Sequence, residues 1–415
     1  NMNRRGFFLI ILLAVVARAA AAWGEPARVG RVSSIEGDVS FSAGNSGSTG
    51  PASLNYPLTA SDRLSTGSAS RAEAHVGSTA IRLASDSAMT FDALDDSAVR
   101  VRLEKGSLSI RVRRLDPDQR MEVDTRVASV VVSEPGLYRV DQRGGGDTAV
   151  TVRRGRVEIS TEDGSLTAAA GQAAEIPHGN PSAWQISAAP PPDSWDEWVA
   201  SRDHREDGLS ATRYVSREMD GVEDLDEFGS WRVIAGFGPC WVPFVAAAGW
   251  APYQLGHWAW IESWGWTWID DAPWGFAPFH YGRWVFSTGV WAWAPGPIVA
   301  RPAFRPAQVA WVGGMPDRNR PPDGQRIRWV PLRPHQPSMP VAAPAATFRV
   351  PPRPIAGVPV RPEPGYRAPV YRGPMYGGPV YRAPAYRAPR APASPAGDDP
   401  GLRKWRHDRA SREAP

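Results

Sequence analysis

Apolar and polar residues alternate through the first half of the chain. Arginines separate Val99, Val101 and Leu103, and a similar alternation returns over residues 108–112. A period of two is typical of strands with one buried face and one solvated face. Glycines interrupt the pattern at short intervals, as turns do. Residues 28–177 therefore predict an all-β domain, and the spacing leaves open whether this domain is a sandwich, a roll or a solenoid.

A tryptophan-rich stretch follows at residues 228–311. It holds 13 of the 19 tryptophans and repeats a unit of 26 to 27 residues about three times. A fixed period indicates one supersecondary unit that stacks on its copies to bury its aromatic face. Strict alternation, as in Trp264-Gly-Trp266-Thr-Trp268, predicts strands, and the repeated glycine suits a turn or a ring lying on bare backbone. The aligned positions are Gly229, Gly256 and Gly282, then Trp231, Trp258 and Trp284, then Trp241, Trp268 and Trp293.

A short helical linker is predicted between the two domains, at residues 190–227. Prolines 190–192 break the chain, and Asp193 with Ser194 can cap a helix. One face of this helix is expected to be apolar and the other to be solvated. The apolar face carries Trp195, Trp198 and Val199, and the residues expected in water are Arg202, Asp203, Arg205 and Glu206.

Two further features belong to the linker. A second short helix is expected near residues 214–219. The acidic run Asp220–Asp226 lacks the ligand spacing of an EF-hand, so it is interpreted as a turn that leads into the tryptophan repeat.

The two ends of the chain differ from its centre. Arg4 and Arg5 precede an apolar run and then small residues, which predicts a signal peptide over residues 1–22 and no membrane span after its cleavage. Residues 312–415 are rich in proline, arginine and tyrosine, so a disordered tail is predicted. Residues 301–415 carry 20 Lys/Arg against 7 Asp/Glu, whereas the whole chain has a net charge of +4, so the body is acidic and the tail basic.

Two resemblances to known families rest on short motifs. The runs Leu58–Gly67, Gly77–Leu83 and Val123–Val132 resemble the periplasmic domain of FecR-type proteins, which transmit an outer-membrane signal to a sigma factor. This chain departs from them because few residues precede the apolar run, where a true regulator has its cytoplasmic anti-sigma region. Residues 194–311, which include the motif Gly249-Trp-Ala-Pro-Tyr253 and the run Asp270–Trp284, are similar to an exported bacterial domain of unknown function, which commonly follows a FecR-like domain. That similarity implies an architecture and a compartment, and no activity.

No catalytic, metal-binding or cofactor-binding motif is evident in the sequence. Seven scattered histidines and the single Cys240 exclude a cysteine-based zinc site and an internal disulfide framework, and Cys240 is expected to be buried. One cluster in the second repeat resembles the paired acids of a glycosidase. Its two adjacent aspartates precede Pro273 as a turn does, and the other repeats carry different residues where its histidines align, so the supporting geometry of a site is missing. That cluster is Glu262, Asp270, Asp271, His257 and His280.

Binding is the stronger hypothesis for the tryptophan-rich region. The aligned Trp231, Trp258 and Trp284 are expected in the core, and Trp260, Trp264 and Trp291 are predicted as surface rings that bind a ligand. The basic tail is expected to meet an anionic envelope polymer or to act as a spacer, and the predicted export argues against nucleic acid.

These observations favour a non-enzymatic exported protein of the periplasm or cell surface, with a structural or adaptor role. The expected partner is peptidoglycan, an anionic envelope polymer or another envelope protein. One alternative is a glycan hydrolase centred on the second repeat, and another is a FecR-like signalling module without the anti-sigma part.

Overall fold

The computed structural model describes residues 28–44, 49–244 and 250–334. The predicted signal peptide and residues 335–415 of the predicted tail lie outside these ranges. Within the described residues the chain is mostly β-structure, as the alternation predicts.

The first domain has 17 strands in two β-sheets that share one long strand and enclose one apolar core. Its strands are β1 Gly30–Glu36, β2 Val39–Ser42, β3 Thr49–Pro51, β4 Pro57–Leu58, β5 Arg63–Thr66, β6 Arg71–Val76, β7 Thr79–Leu83, β8 Ala88–Leu94, β9 Ala98–Val112, β10 Arg120–Asp124, β11 Ser129–Val132, β12 Gly136–Gln142, β13 Thr148–Arg154, β14 Arg156–Thr161, β15 Gly164–Ala169, β16 Gln172–Ile176 and β17 Gln185–Ala188.

The long strand β9 belongs to both sheets. Its first half pairs with β8 and, in parallel, with β10, whereas its second half pairs with β7 and β12. Buried apolar positions are odd-numbered up to Leu103 and even-numbered from Leu108 onward. The change of phase occurs around Gly106, which has a φ of 80°, and a Cβ there would lie 2.1 Å from Ser87 Oγ. Glycine thus allows one strand to cross between the two sheets.

Helix α1, Ser194–Asp207, begins at the predicted cap. Asp193 accepts a hydrogen bond from the Asp196 N–H, and the Asp196 side chain accepts one from the Asp193 N–H, which completes a capping box. The predicted second helix near 214–219 is wrong, because this segment is irregular and instead buries Val215 and Met219 in the core of the next domain. Short 3-10 turns lie at Pro181–Ala183, Ala211–Arg213 and Val222–Asp224, and helix α2 is Leu225–Phe228.

The tryptophan-rich domain is built from antiparallel hairpins. Its elements are β18 Gly229–Ile234, β19 Gly238–Pro243, β20 Gly256–Ile261, β21 Gly265–Asp270, α3 Ala277–His280, β22 Arg283–Ser287, β23 Val290–Ala294, β24 Val309–Val312 and β25 Arg328–Pro331. Strands β18, β19, β23 and β22 form one sheet in that order, while β20–β21 and β24–β25 are separate hairpins.

Each repeat is one hairpin whose two aligned tryptophans face each other across the strands. The pairs are Trp231 with Trp241, Trp258 with Trp268 and Trp284 with Trp293. The second ring of each pair is fully buried, and of the first rings Trp284 is buried while Trp231 and Trp258 are partly buried against the core. The core prediction for the aligned tryptophans therefore agrees with the packing.

The hairpin β24–β25 crosses the position at which the sequence predicts the tail to begin. Trp311 on β24 pairs with Trp329 on β25, and both rings pack against Trp258. Ordered structure therefore continues through residue 334. Cys240 is buried, as predicted, on the other face of the four-stranded sheet with Val242 and Ala292. None of the helices in the described ranges has the length and apolar character needed to cross a bilayer.

Candidate functional site

The carboxylates predicted as a glycosidase pair lie at opposite ends of the β20–β21 hairpin. Asp270 faces Gly256 at the open end, whereas Glu262 follows Ile261 at the turn, where Ile261 faces Gly265. Five residue steps separate the two ends, about 17 Å of strand. Glycosidase carboxyl groups stand within about 10 Å of each other. Glu262 and Asp270 therefore do not form such a pair.

The other members of that predicted cluster have local structural contacts. Asp270 is buried and accepts hydrogen bonds from Trp268 Nε1 and the Ala272 N–H, and burial raises its pKa to about 7. His257 and Asp271 are exposed neighbours, 3.9 Å apart. His280 is fully buried beside the Arg305 carbonyl, and burial lowers its pKa to about 4. The structure does not bring these groups into one cleft.

The three tryptophans predicted to bind a ligand are all partly buried. Trp264 packs edge-on against Phe304 at 4.8 Å between ring centroids, and Trp291 packs against Phe286 at 5.2 Å. Trp260 instead lies near the turn of its hairpin, where it faces Trp266 across the strands. The three rings lie in different environments, so they do not form one stack.

Trp260 is surrounded by polar groups that the sequence analysis did not associate with it. Its Nε1 donates to Glu262, which also pairs with Arg318 at 3.0 Å, and the Arg318 guanidinium lies 5.9 Å from the Trp260 ring centroid. Trp266 donates from Nε1 to the Asp317 carbonyl. Two partly exposed rings beside an ion pair form an aromatic surface, called here the Trp260 surface and defined by Trp260, Glu262, Trp266 and Arg318.

A second site was missed by the sequence analysis. Strands β6 and β7 direct Ala72, Ala74 and Ile81 into the core of the first domain, so the alternate side chains point to the outer face of the sheet. Helix α1 covers that face, and the 3-10 turn Val222–Asp224 closes its edge. The charged residues enclosed there, called the junction cluster, are Arg31, Glu73, His75, Arg82, Arg202, Asp203, Glu206, Glu223 and Asp224.

Arg82 is the centre of the junction cluster. Its guanidinium is fully buried and contacts Glu73 at 2.5 Å, Asp203 at 2.7 Å and Glu206 at 2.8 Å. Arg202 of α1 also bonds Glu73. The expectation that Arg202, Asp203 and Glu206 are solvated is therefore wrong, because their partners on β6 and β7 compensate for their desolvation. Arg205 is about half exposed, as expected.

Arg31 joins the first domain to the tryptophan-rich domain. It contacts Glu223 and Asp224, each at 2.5 Å, and donates to the Pro273 carbonyl at 2.9 Å. Asn55, next to it, donates to the carbonyls of residues 270 and 272. Charge-assisted bonds of this kind are roughly twice as strong as neutral ones. The two domains and the linker are thus held together at one buried point.

His75 lies among three carboxylates of the junction cluster. Its Nδ1 is 3.1 Å from Glu223, and its Nε2 is 3.5 Å from Glu73 and 3.6 Å from Glu206. Burial alone lowers the pKa of His75, but Glu223 and Glu206 outweigh that effect and hold the pKa well above its ordinary value. The imidazole therefore carries a proton and acts as a cation.

The same geometry raises the question of a metal ion. Ligand atoms of Glu73, His75 and Glu206 lie within 4.8 Å of one another. A metal requires a neutral histidine and free carboxylate oxygens. Here Arg82 and Arg202 already bond the oxygens that face His75, and their positive charges repel a second cation. The junction cluster is consequently better suited to hold a proton than a metal ion.

Comparison with known proteins agrees with the two resemblances seen in the sequence. Residues 62–158 match the family model described as FecR protein, and residues 222–336 match the model described as a family of unknown function, DUF6600. The chain therefore carries a FecR domain followed by a DUF6600 domain, as predicted. A comparison with curated proteins gives no match.

Two solved structures are similar to part of the chain. Both are of a candidate anti-sigma factor from Parabacteroides distasonis ATCC 8503, with 19% and 18% sequence identity and a TM-score of 0.28. The similarity covers 34% of this chain and 64% of theirs, so this chain spans less than two thirds of those proteins.

Proposed function

We propose that this chain, which joins a FecR domain to a DUF6600 domain, is a non-enzymatic adaptor of the cell envelope that binds a wall glycan through the Trp260 surface. The observation that carries the proposal is the grouping of two partly exposed indoles with the Glu262–Arg318 ion pair. Aromatic faces pack against the apolar faces of sugar rings, and an adjacent carboxylate and guanidinium bond the hydroxyl groups. Trp264 and Trp291 remain secondary candidates for the same role.

The junction cluster supports the proposed adaptor role because it holds the two domains rigidly together. A binding surface is most effective when the elements behind it are rigid, because ordering them on binding costs affinity. Arg31 bonds both the linker and the Pro273 carbonyl, which lies three residues beyond the end of the β20–β21 hairpin. The Trp260 surface is therefore carried by a domain that is fixed to the FecR domain.

Export and location are part of the proposal. They are supported by the charged and apolar pattern of residues 1–22 and by the presence of a FecR domain. Peptidoglycan is the glycan we expect, with an anionic envelope polymer as an additional contact of the basic tail.

The test is sedimentation of the full chain with purified peptidoglycan sacculi at low and high salt. We expect retention at high salt, and its loss in Trp260→Ala and Trp266→Ala, since stacking does not depend on ionic strength. Trp184→Ala is the matched control, because Trp184 is an exposed tryptophan of the first domain. Retention that is unaffected by Trp260→Ala, or that disappears with salt alone, contradicts the role of this surface.

A signalling role is the second candidate, and the FecR match at residues 62–158 is the observation that favours it. In that case deletion of the chain alters transcription that depends on a sigma factor. The Trp260→Ala variant then restores transcription fully although it fails to bind sacculi. The two functions are thereby distinguished.

A further inference from the structure

A cavity of about 190 Å³ lies where the FecR domain, the linker and the DUF6600 domain meet. Val29 and Gly77 line it from the first domain, and Tyr281 and Phe304 line it from the DUF6600 domain. One water takes about 30 Å³ in the liquid, so the cavity has room for roughly six waters. Its size is that of a small polar molecule.

Asp220 provides a buried carboxylate on the wall of this cavity. It is 3% exposed; its Oδ1 accepts from the Gly77 N–H at 2.7 Å, and its Oδ2 accepts from the Tyr281 hydroxyl at 3.3 Å. Both donors are neutral, whereas the nearby Asp224 pairs with a guanidinium. A buried carboxylate held by neutral donors attracts a cation or a proton.

Two arginines line the same cavity. Arg28 pairs with Glu218 at 3.4 Å, and Arg301 is exposed and pairs with Asp116 and Asp118 on the surface. The carboxylates of Glu218 and Asp96 also belong to the lining. The lining thus contains separate groups that attract a cation and an anion. The aromatic rings of Tyr281 and Phe304 complete the wall and favour a nearby ammonium group.

We propose that the cavity binds a small α-amino acid, with its ammonium group on Asp220 and its carboxylate toward Arg28 and Arg301. A zwitterion matches both signs of charge in the lining, and the cavity volume limits its side chain. The site is independent of the Trp260 surface and of the glycan it is proposed to bind.

The test is calorimetric titration of the full chain with five probes. Glycine, L-alanine and D-alanine carry both groups, ethanolamine lacks the carboxylate, and propionate lacks the ammonium. We expect the amino acids to bind, ethanolamine to bind more weakly, and propionate to give no binding. Propionate that binds as tightly as alanine, or an absence of saturable binding by all three amino acids, overturns the proposal.

Variants then assign the two contacts. We expect Asp220→Asn to lower the affinity for alanine and for ethanolamine about tenfold or more, since a charged hydrogen bond is lost. Arg301→Gln is expected to lower the affinity for alanine and to leave the affinity for ethanolamine unchanged. The control is Asp323→Asn, which removes the charge of an exposed carboxylate of the DUF6600 domain and is expected to leave the affinities for alanine and ethanolamine unchanged. Equal affinities in Asp220→Asn and the native chain contradict the proposal.

A measurement on the native chain applies if Asp220→Asn does not fold. Burial raises the pKa of Asp220 to about 7, and the charged groups that act on it are Glu223, His75 and Arg28, with the Tyr281 hydroxyl also facing it. Ethanolamine stays protonated from pH 6 to 8, whereas Asp220 loses its proton over this range. The affinity for ethanolamine is therefore expected to increase with rising pH. A flat affinity profile opposes the role of Asp220.

Discussion

The indole of Trp241 lies so close to the backbone of Gly229 that a Cβ atom at position 229 would be 2.2 Å from Cε2 of the ring. The same relationship recurs in the other two repeats, between Trp268 and Gly256 and between Trp293 and Gly282, where the nearest ring atom is 2.7 Å away. Each repeat therefore packs its second indole on the glycine that opens its own hairpin.

Gly229→Ala is expected to lower the free energy of unfolding by about 1–3 kcal/mol, because the added methyl group displaces a buried ring. Gly229 has an extended φ of −162°, so strain in the left-handed region does not contribute. Urea unfolding measures the effect. The control is Gly144→Ala, where an added Cβ meets nothing within 4 Å. Equal, small effects of both variants would show that the ring is free to move.

Arg82→Met is expected to destabilise the protein by about 1–3 kcal/mol, since Glu73, Asp203 and Glu206 lose the one cation they share and keep only their other partners, Arg202, Arg113 and His75. Arg63→Met is the matched control, because Arg63 pairs with Glu104 at the surface, where such pairs contribute about 0–1 kcal/mol. Denaturant midpoints of the two variants are compared. A loss in Arg82→Met no larger than in Arg63→Met would be evidence against a buried, fully paired cluster.

His75→Gln is expected to remove a stabilising contribution that depends on pH. The carboxylates Glu223 and Glu206 outweigh burial and raise the pKa of His75, so the folded state holds its proton more tightly than the unfolded state. The contribution is complete below about pH 6.5, the pKa of an unperturbed histidine, and is lost as the pH rises through the higher pKa of His75 in the folded state. Thermal unfolding of the native chain and the variant from pH 6 to 9 measures it.

Metal binding at the same position predicts the opposite trend. A metal competes with the proton for His75, so stabilisation would grow with pH and would vanish with EDTA. We expect no change with EDTA and a stability difference between native chain and variant that shrinks with rising pH. A difference that grows with pH would reassign Glu73, His75 and Glu206 as metal ligands.

His280→Gln is expected to reduce the sensitivity of the protein to acid. Burial lowers the pKa of His280 to about 4, below its ordinary value near 6.5, so the unfolded state binds more protons between these values. Its contribution is complete above about pH 6.5 and is lost as the pH falls to about 4, in total about 3 kcal/mol. The difference in unfolding free energy between native chain and variant at pH 4.5 and 7 measures it, and equal differences at both pH values contradict it.

Local pattern is sufficient to predict much of this fold. The change from odd to even apolar positions between Leu103 and Leu108 is visible in the sequence, and it marks the crossing of β9 between sheets. The aligned glycines and tryptophans of the three repeats likewise predict the three hairpins. Both features depend on residues within about 30 positions of one another, so they can be predicted from the spacing of residues in the sequence.

Sequence spacing does not predict the junction cluster, because its members are far apart in the chain. Arg82 meets Asp203 and Glu206 across 121 and 124 residues, and Arg31 meets Glu223 across 192. An alternating charged face predicts solvent exposure unless another element covers it, and the covering helix is itself polar on that side. The outer face of β6 and β7 and the facing side of α1 are both charged. Neither shows the apolar pattern from which burial is predicted.

The position of Arg31 in the chain has a consequence for the order of folding. Arg31 lies on the first strand, while its partners Glu223 and Asp224 are synthesised almost two hundred residues later. When the chain emerges with its N-terminus first, the FecR domain can form its apolar core at once but leaves Arg31 and Arg82 on an open, hydrated face. That face closes only when the linker arrives, and the bond from Arg31 to the Pro273 carbonyl forms later still, so the buried ion pairs follow the apolar core of the first domain.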